Sequence, residues 1–240
     1  KKTKKYKTFH TSQENQNNMK QEFNWGPTID GGEYLSNEIF TLQCYESIYP
    51  VKKGDVVLDL GASVGPFTWS IMDKASKVYA VEPMEDLQST LEKNTKGYPV
   101  TIIQKALSYK NGEIDFNDVC INKFESKIVK TIDFQTLLKD NNINKIDFLK
   151  TDCEGGEYNL FTEANMHFLL NNVRNIVGEF HLSSDFPELK VEFRYFRDKY
   201  LKQFKHFEVR SLDGVDIKWD LWNDHFIDYY NMVLIYINNE

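Results

Sequence analysis

The run Gly54-Asp55-Val56-Val57-Leu58-Asp59-Leu60-Gly61-Ala62-Ser63-Val64-Gly65 decides the fold. Residues 56–60 are a short apolar segment of β-formers interrupted only by Asp59, and the composition of residues 66–72 predicts a helix. Strand, tight glycine-spaced loop and helix make the opening unit of an open parallel α/β sheet. Gly61 and Gly65 let the backbone approach a ligand, and the helix start offers free N–H groups there. Asp59 falls at the carboxyl end of the strand, where such sheets bind ligands. The spacing is Asp-x-Gly-x-x-x-Gly. It departs from the dinucleotide pattern Gly-x-Gly-x-x-Gly because Ala62 and Ser63 stand in place of a second glycine.

Downstream, residues 77–81 predict a second strand that ends at Glu82-Pro83, and Pro83 holds Glu82 extended at the tip. Glu82 lies 21 positions after Gly61. A carboxylate there can accept hydrogen bonds from both ribose hydroxyls of an adenosine. A helix over 84–94 and a third strand over 100–104 follow, then a short alternating strand over 113–116 beyond the Asn111-Gly112 turn. Asp133 is expected to cap a helix over 134–139. The second informative stretch runs from Lys145 to Glu157. Residues 146–149 enter a strand, Asp152 and Glu154 crowd its tip, and Gly155-Gly156 turn the chain into the next helix. Carboxylates so placed need donors, a proton or a cation, unless they only cap the following helix. A fifth strand over 175–180 leads to His181, a candidate general base because imidazole titrates near neutrality. Residues 187–204 predict a helix, and 206–211 and 232–237 two final strands. The aromatic segment between those strands, with Trp219, Trp222, Phe226, Tyr229 and Tyr230, fits packing or a pocket wall.

Upstream, apolar residues from Leu35 to Tyr49 recur at helical spacing and predict a helix over 37–48, ended by Pro50. Residues 1–32 are polar and lysine-rich at their start, which fits a solvated tail, and residues 33–240 are expected to form one domain. Hydrophobic residues make up 41% and charged residues 27% of the 240, proportions ordinary for a globular chain. The net charge of −7 argues against broad nucleic-acid binding. No apolar run approaches the ~20 residues of a spanning helix, so no membrane segment is expected. Cys44, Cys120 and Cys153 lack paired spacing, which suits a reducing compartment such as the cytoplasm.

Taken together, these blocks make the chain resemble the FkbM-type class I methyltransferases from about residue 49 onward. The likeness rests on residues 57–65, on Val81-Glu82-Pro83, and above all on residues 146–157. The last is similar to the family signature Asp-x-x-Lys-x-Asp-x-Glu-Gly-x-Glu. The resemblance implies a Rossmann-like, seven-stranded, mostly parallel sheet in the order 3-2-1-4-5-7-6, with strand seven antiparallel and helices on both faces. It implies S-adenosyl-L-methionine as cofactor and O-methylation of a sugar or other small-molecule hydroxyl, and the acidic balance makes nucleic acid an unlikely partner. Gly61, Ala62 and Gly65 would then receive the methionine end of the cofactor, with Asp59 in support. Glu82 would hold the ribose, and Lys105, Ala106 and Leu107 would flank the adenine. Asp152 and His181 are the candidate bases, with Glu154 orienting one of them or the acceptor. A divalent metal on Asp152, Glu154 and His181 is the less favoured route.

Two other classes share parts of this pattern. A nicotinamide-dependent oxidoreductase would share the strand-loop-helix unit but lacks its glycine fingerprint here. A non-catalytic binding module would keep the fold without the intact acids at 59, 82, 152 and 154.

Overall fold

The computed structural model describes residues 23–27, 35–116 and 127–240. Its strands are β1 Val56–Leu60, β2 Lys77–Val81, β3 Val100–Ile103, β4 Ala106–Leu107, β5 Gly112–Asp115, β6 Ile128–Ile132, β7 Ile146–Thr151, β8 Val173–His181, β9 His206–Arg210 and β10 Met232–Asn238. Seven of them form one sheet in the order β3-β2-β1-β7-β8-β10-β9. Numbered within that sheet, this is 3-2-1-4-5-7-6, and β10 runs antiparallel to both neighbours. The molecule has the Rossmann-like class I methyltransferase fold. The helices are α1 Pro66–Ile71, α2 Glu85–Thr95, α3 Phe134–Asp140, α4 Glu163–Asn171, α5 Pro187–Tyr195 and α6 Asp224–Tyr229. As expected, Asp133 caps α3, its side chain accepting from the Thr136 N–H.

Strand alternation sends successive side chains to opposite faces. Leu58, Leu60, Leu149, Ile176 and Phe180 enter one core. Val57, Phe148, Val177 and Tyr236 enter the other, with Phe67 and Ile71 of α1. Asp59 shares the second face and meets α1. On that side Phe23 is buried against Trp25, Phe40 and Trp69, with ring centroids 4.7, 5.5 and 5.6 Å away. The Asn94 amide donates to the carbonyls of Asn24 and Val64, tying this segment to the glycine loop. The lysines at the start of the chain and Cys120 lie outside the described residues.

Two expectations change. The helix over 37–48 is instead two short turns, Asn37–Thr41 and Cys44–Glu46, broken where Gln43 takes a left-handed φ of 50°. The same apolar spacing is satisfied by turns that bury Ile39, Phe40, Cys44 and Tyr45. The helix over 187–204 changes its winding after α5, through a wider turn Phe196–Tyr200 and a tighter one Leu201–Gln203. The strand near 113–116 belongs to a separate three-stranded sheet, β4-β6-β5. Among the described residues no helix is long and apolar enough to cross a membrane.

Candidate active site

The carboxyl tips of β1, β2 and β7 open onto one cavity of about 890 Å³. That is ample for a cofactor and part of an acceptor. Its wall includes Gly61, Ala62, Glu82, Lys105, Ala106 and Leu107 on one side and Asp152 and Glu154 on the other. Asp59, Gly65 and His181 do not line it but stand behind it. The aromatics of 219–230 do not line it either. Phe226 stacks on Phe193, while Trp219 and Tyr229 face solvent.

The first loop is fixed by backbone geometry. The N–H groups of Gly61 and Ala62 both donate to the Val81 carbonyl at 3.0 Å. Gly61 has φ +76°, and a Cβ on it would lie 1.7 Å from the Asp152 carbonyl oxygen. The loop after β1 and the loop after β7 therefore touch only because position 61 has no side chain. Gly65, at φ +86°, starts α1 against Leu91, where a Cβ would come within 2.6 Å.

Register pairs Asp59 of β1 with Lys150 of β7. Both are buried. Asp59 accepts from the Thr68 hydroxyl at 2.7 Å and sits 3.2 Å from Lys150 Nζ. Lys150 Nζ also donates to the Gly61 carbonyl at 2.7 Å and lies 3.7 Å from Asp152. Burial disfavours the ammonium, yet Asp59 and Asp152 together push the Lys150 pKa up, so it is charged. Asp59 is thus occupied by internal partners and supports the loop from beneath.

Glu82 accepts from the Ser63 and Met84 N–H groups, each at 2.9 Å. Burial pushes it up to about 7 against the pull of those two donors.

The second loop is organised by Glu157, which is fully buried. One of its oxygens accepts from the N–H groups of Cys153 at 2.7 Å and Gly155 at 3.1 Å and lies 3.1 Å from His181 Nδ1. The other His181 nitrogen is 3.6 Å from Glu154. Burial would lower the His181 pKa, but Glu157, Asp152 and Glu154 push it up to about 10. Those carboxyl groups favour the protonated imidazole and face both of its nitrogens. Burial and the neighbouring Asp152 push Glu154, held at a left-handed φ of 54°, up to about 7. Asp152, Glu157 and His181 bring ligand atoms within 4.8 Å of one another. Each imidazole nitrogen of His181 faces a carboxyl group, Glu157 on one side and Glu154 on the other.

Asp152 accepts from the Tyr45 hydroxyl at 2.9 Å, and the same hydroxyl lies 3.1 Å from Glu179. Sequence reasoning assigned no role to Tyr45, Lys150, Glu157 or Glu179. Lys150 and Glu157 stand inside the quoted signature, and the alternation from Phe148 places Lys150 on the Asp59 face. Tyr45 comes from a distant turn and left no local signal.

The sheet order, with its cavity at the carboxyl tips, defines the class I methyltransferase fold. The methyltransferase FkbM domain model matches residues 59–212, well over half the chain, and the chain belongs to that family. It is also similar to the ribosomal RNA small subunit methyltransferase A of Clostridium botulinum (strain ATCC 19397 / Type A), at 29% identity over 116 residues, 48% of this chain and 40% of the relative. Similarity to the dimethyladenosine transferase of Yarrowia lipolytica is 30% over 113 residues, 45% of this chain and 35% of the relative. The chain thus spans less than half the length of these curated relatives. The solved fibrillarin/Nop5p complex shares the fold at a TM-score of 0.51 and 15% identity, over 84% of this chain and 80% of that one.

These relatives correct what the FkbM-type resemblance was taken to imply. Placement beside enzymes that O-methylate sugars or small-molecule hydroxyls is overturned, because the curated relatives are a ribosomal RNA methyltransferase and a dimethyladenosine transferase. The expectation that nucleic acid is an unlikely partner falls with it. The net charge of −7 argued only against a broad basic surface, not against a base entering a cavity.

Proposed function

We propose that this chain transfers the methyl group of S-adenosyl-L-methionine to a base of RNA, presented in the cavity between the first and second loops. One observation carries the reading: a single cavity joins the acid at the β2 tip, Glu82, to the carboxyl groups at the β7 tip, Asp152 and Glu154. The residues fit the cofactor. In this proposal the backbone of Gly61, Ala62 and Ser63 meets its methionine end, with Gly65 and Asp59 fixing that loop. Glu82 accepts from the ribose hydroxyls, and Ala106 and Leu107 wall the adenine beside Lys105. The bound cofactor supplies a methyl on a sulfonium, which is already a good leaving group.

The chain's own task is to hold the acceptor atom in line and to take its proton. Asp152 is the proposed proton acceptor, and Glu154 orients the acceptor. His181, held as a cation, fixes Glu154 and Glu157 instead of acting as base or metal ligand. A divalent-cation route through Asp152, Glu154 and His181 is accordingly not adopted. The cavity wall also carries Tyr109, Phe116 and Lys127, the last paired with Asp86, besides Lys105. Aromatic faces and ammonium groups of this kind suit a base and its phosphate. With a net charge of −7, recognition rests on that enclosed base and depends only weakly on salt. The catalytic unit is taken as residues 33–240 with residues 23–25 packed against it, and the cysteine usage fits work in the cytoplasm.

The test is incubation with isotope-labelled cofactor and unmodified RNA, followed by nuclease digestion and mass spectrometry of the nucleosides. A labelled methylnucleoside, absent with Asp152→Asn, is expected. Binding of S-adenosylhomocysteine with no labelled nucleoside from any RNA would refute the acceptor.

A further inference from the structure

Tyr45 reaches the site from the turn Cys44–Glu46 and sets one hydroxyl between two carboxyl groups on neighbouring strand tips. Its oxygen is 2.9 Å from Asp152 Oδ2 and 3.1 Å from Glu179 Oε2. The ring is buried, with Lys150 Nζ 5.3 Å from its centroid. A phenol carries one proton, so it donates to one of these oxygens only. The second contact, buried and at hydrogen-bond length, must carry a proton of its own or be two lone-pair oxygens pressed together. Lys150 stands 3.7 Å from Asp152. Among the described residues no lysine or arginine forms an ion pair with Glu179. The extra proton therefore belongs on Glu179.

We propose that Glu179 stands in the site as an uncharged carboxylic acid that donates to the Tyr45 oxygen and so commits the Tyr45 proton to Asp152. Both are positioning residues. The directed chain Glu179 to Tyr45 to Asp152 pins one oxygen of Asp152 and leaves the other for the acceptor's proton. This rests on the reading of Asp152 as proton acceptor.

The surroundings agree. Burial first, then Asp152 and Glu38, push Glu179 up to about 9, against a smaller opposite pull from His181 and Tyr45. The groups facing Tyr45 are Asp152, Glu179, Cys44 and Glu38, with Lys150 over its ring. Burial keeps the Cys44 thiol protonated and raises Glu38 as well. When Glu179 ionises, one phenolic proton faces two carboxylates, and Asp152 loses its committed donor.

The experiment uses the full chain with ¹³C-labelled glutamate and infrared difference spectroscopy across pH. At about pH 8, above the range of Glu82 and Glu154 at about 7, a protonated glutamate C=O band is expected in the wild type. It should be absent in Glu179→Gln and displaced in Tyr45→Phe, which removes its partner. Absence of the band in the wild type, or its persistence in Glu179→Gln, overturns the proposal. Should Glu179→Gln fail to fold, an unmoved band in Tyr45→Phe overturns it equally. On an accepted RNA, Tyr45→Phe should lower kcat by about tenfold with KM for the cofactor held. The wild type should show an alkaline fall in kcat that Glu179→Gln loses, a change a merely structural role would not produce. Spectra as expected, with no RNA methylated, would refute the acceptor reading and leave this one standing.

Discussion

Lys150→Met tests whether the buried ion pair beneath the first loop holds the site together. Lys150 Nζ lies 3.2 Å from Asp59 Oδ1, and the Asp59 side chain has no solvent exposure. Methionine fills nearly the same volume, so the perturbation is electrostatic more than steric. It leaves the Asp59 carboxylate with the Thr68 hydroxyl at 2.7 Å as its remaining donor and removes the 2.7 Å bond to the Gly61 carbonyl. Breaking a buried pair from one side costs about 3–5 kcal/mol. Against a typical total of about 5–15 kcal/mol that is a large share, and it corresponds to a Tm fall of roughly 10 °C in a chain of this size. Urea unfolding followed by tryptophan fluorescence, with m unchanged, reads the loss directly. Adding Asp59→Asn to Lys150→Met removes the stranded charge and should recover part of it. A loss below about 1 kcal/mol, or a double variant no better than the single, would refute the argument.

Three further outcomes follow from the same geometry. Glu82→Ala removes a carboxylate proposed to accept two ribose hydroxyls, so S-adenosylhomocysteine affinity by calorimetry should fall on the order of 100-fold; an unchanged affinity removes the ribose assignment. Stability should fall as pH rises from neutrality to about 10. Glu82 and Glu154 at about 7, Glu179 at about 9 and His181 at about 10 all lie above their ordinary values, so the folded state holds more protons throughout that window. Thermal melts across the range check this, and a flat or rising Tm contradicts it. Gly61→Ala would place a Cβ 1.7 Å from the Asp152 carbonyl oxygen and should cost more than about 3 kcal/mol, while Gly97→Ala, at φ +89° with nothing within 4 Å, should cost only the left-handed backbone term of about 1–2 kcal/mol.

β1, β2 and β7 were legible because they are short, largely apolar runs followed by glycine or acid, and those ends mark the ligand side of a parallel sheet. β1 and β2 match their sequence boundaries residue for residue. β6 went unseen because Lys130 and Thr131 dilute its pattern and its partners are nonlocal. The turns at 37–46 show a different loss: apolar spacing reports which residues are buried, not whether one helix or two turns bury them. His181 shows the chemical counterpart. Its position after a strand was visible. Its charge was not, because that depends on Glu157, which reaches it 3.1 Å away from another element.

The site's two halves are joined by one alternating sequence of donors and acceptors. Thr68 donates to Asp59, Lys150 bridges Asp59 and Asp152, and Tyr45 links Asp152 to Glu179. Every buried acid in that line has a donor or a cation beside it, which a low-dielectric interior demands. The consequence is mechanical. Lys150 grips the Gly61 carbonyl with the ammonium that faces Asp152, so the cofactor loop and the proposed proton acceptor share one anchor. Because Gly61 also abuts the Asp152 carbonyl, the two loops pack directly against each other. In-line transfer needs the donor and the proton-accepting groups at fixed separation, and the pairing of β1 with β7 sets that separation through Asp59 and Lys150.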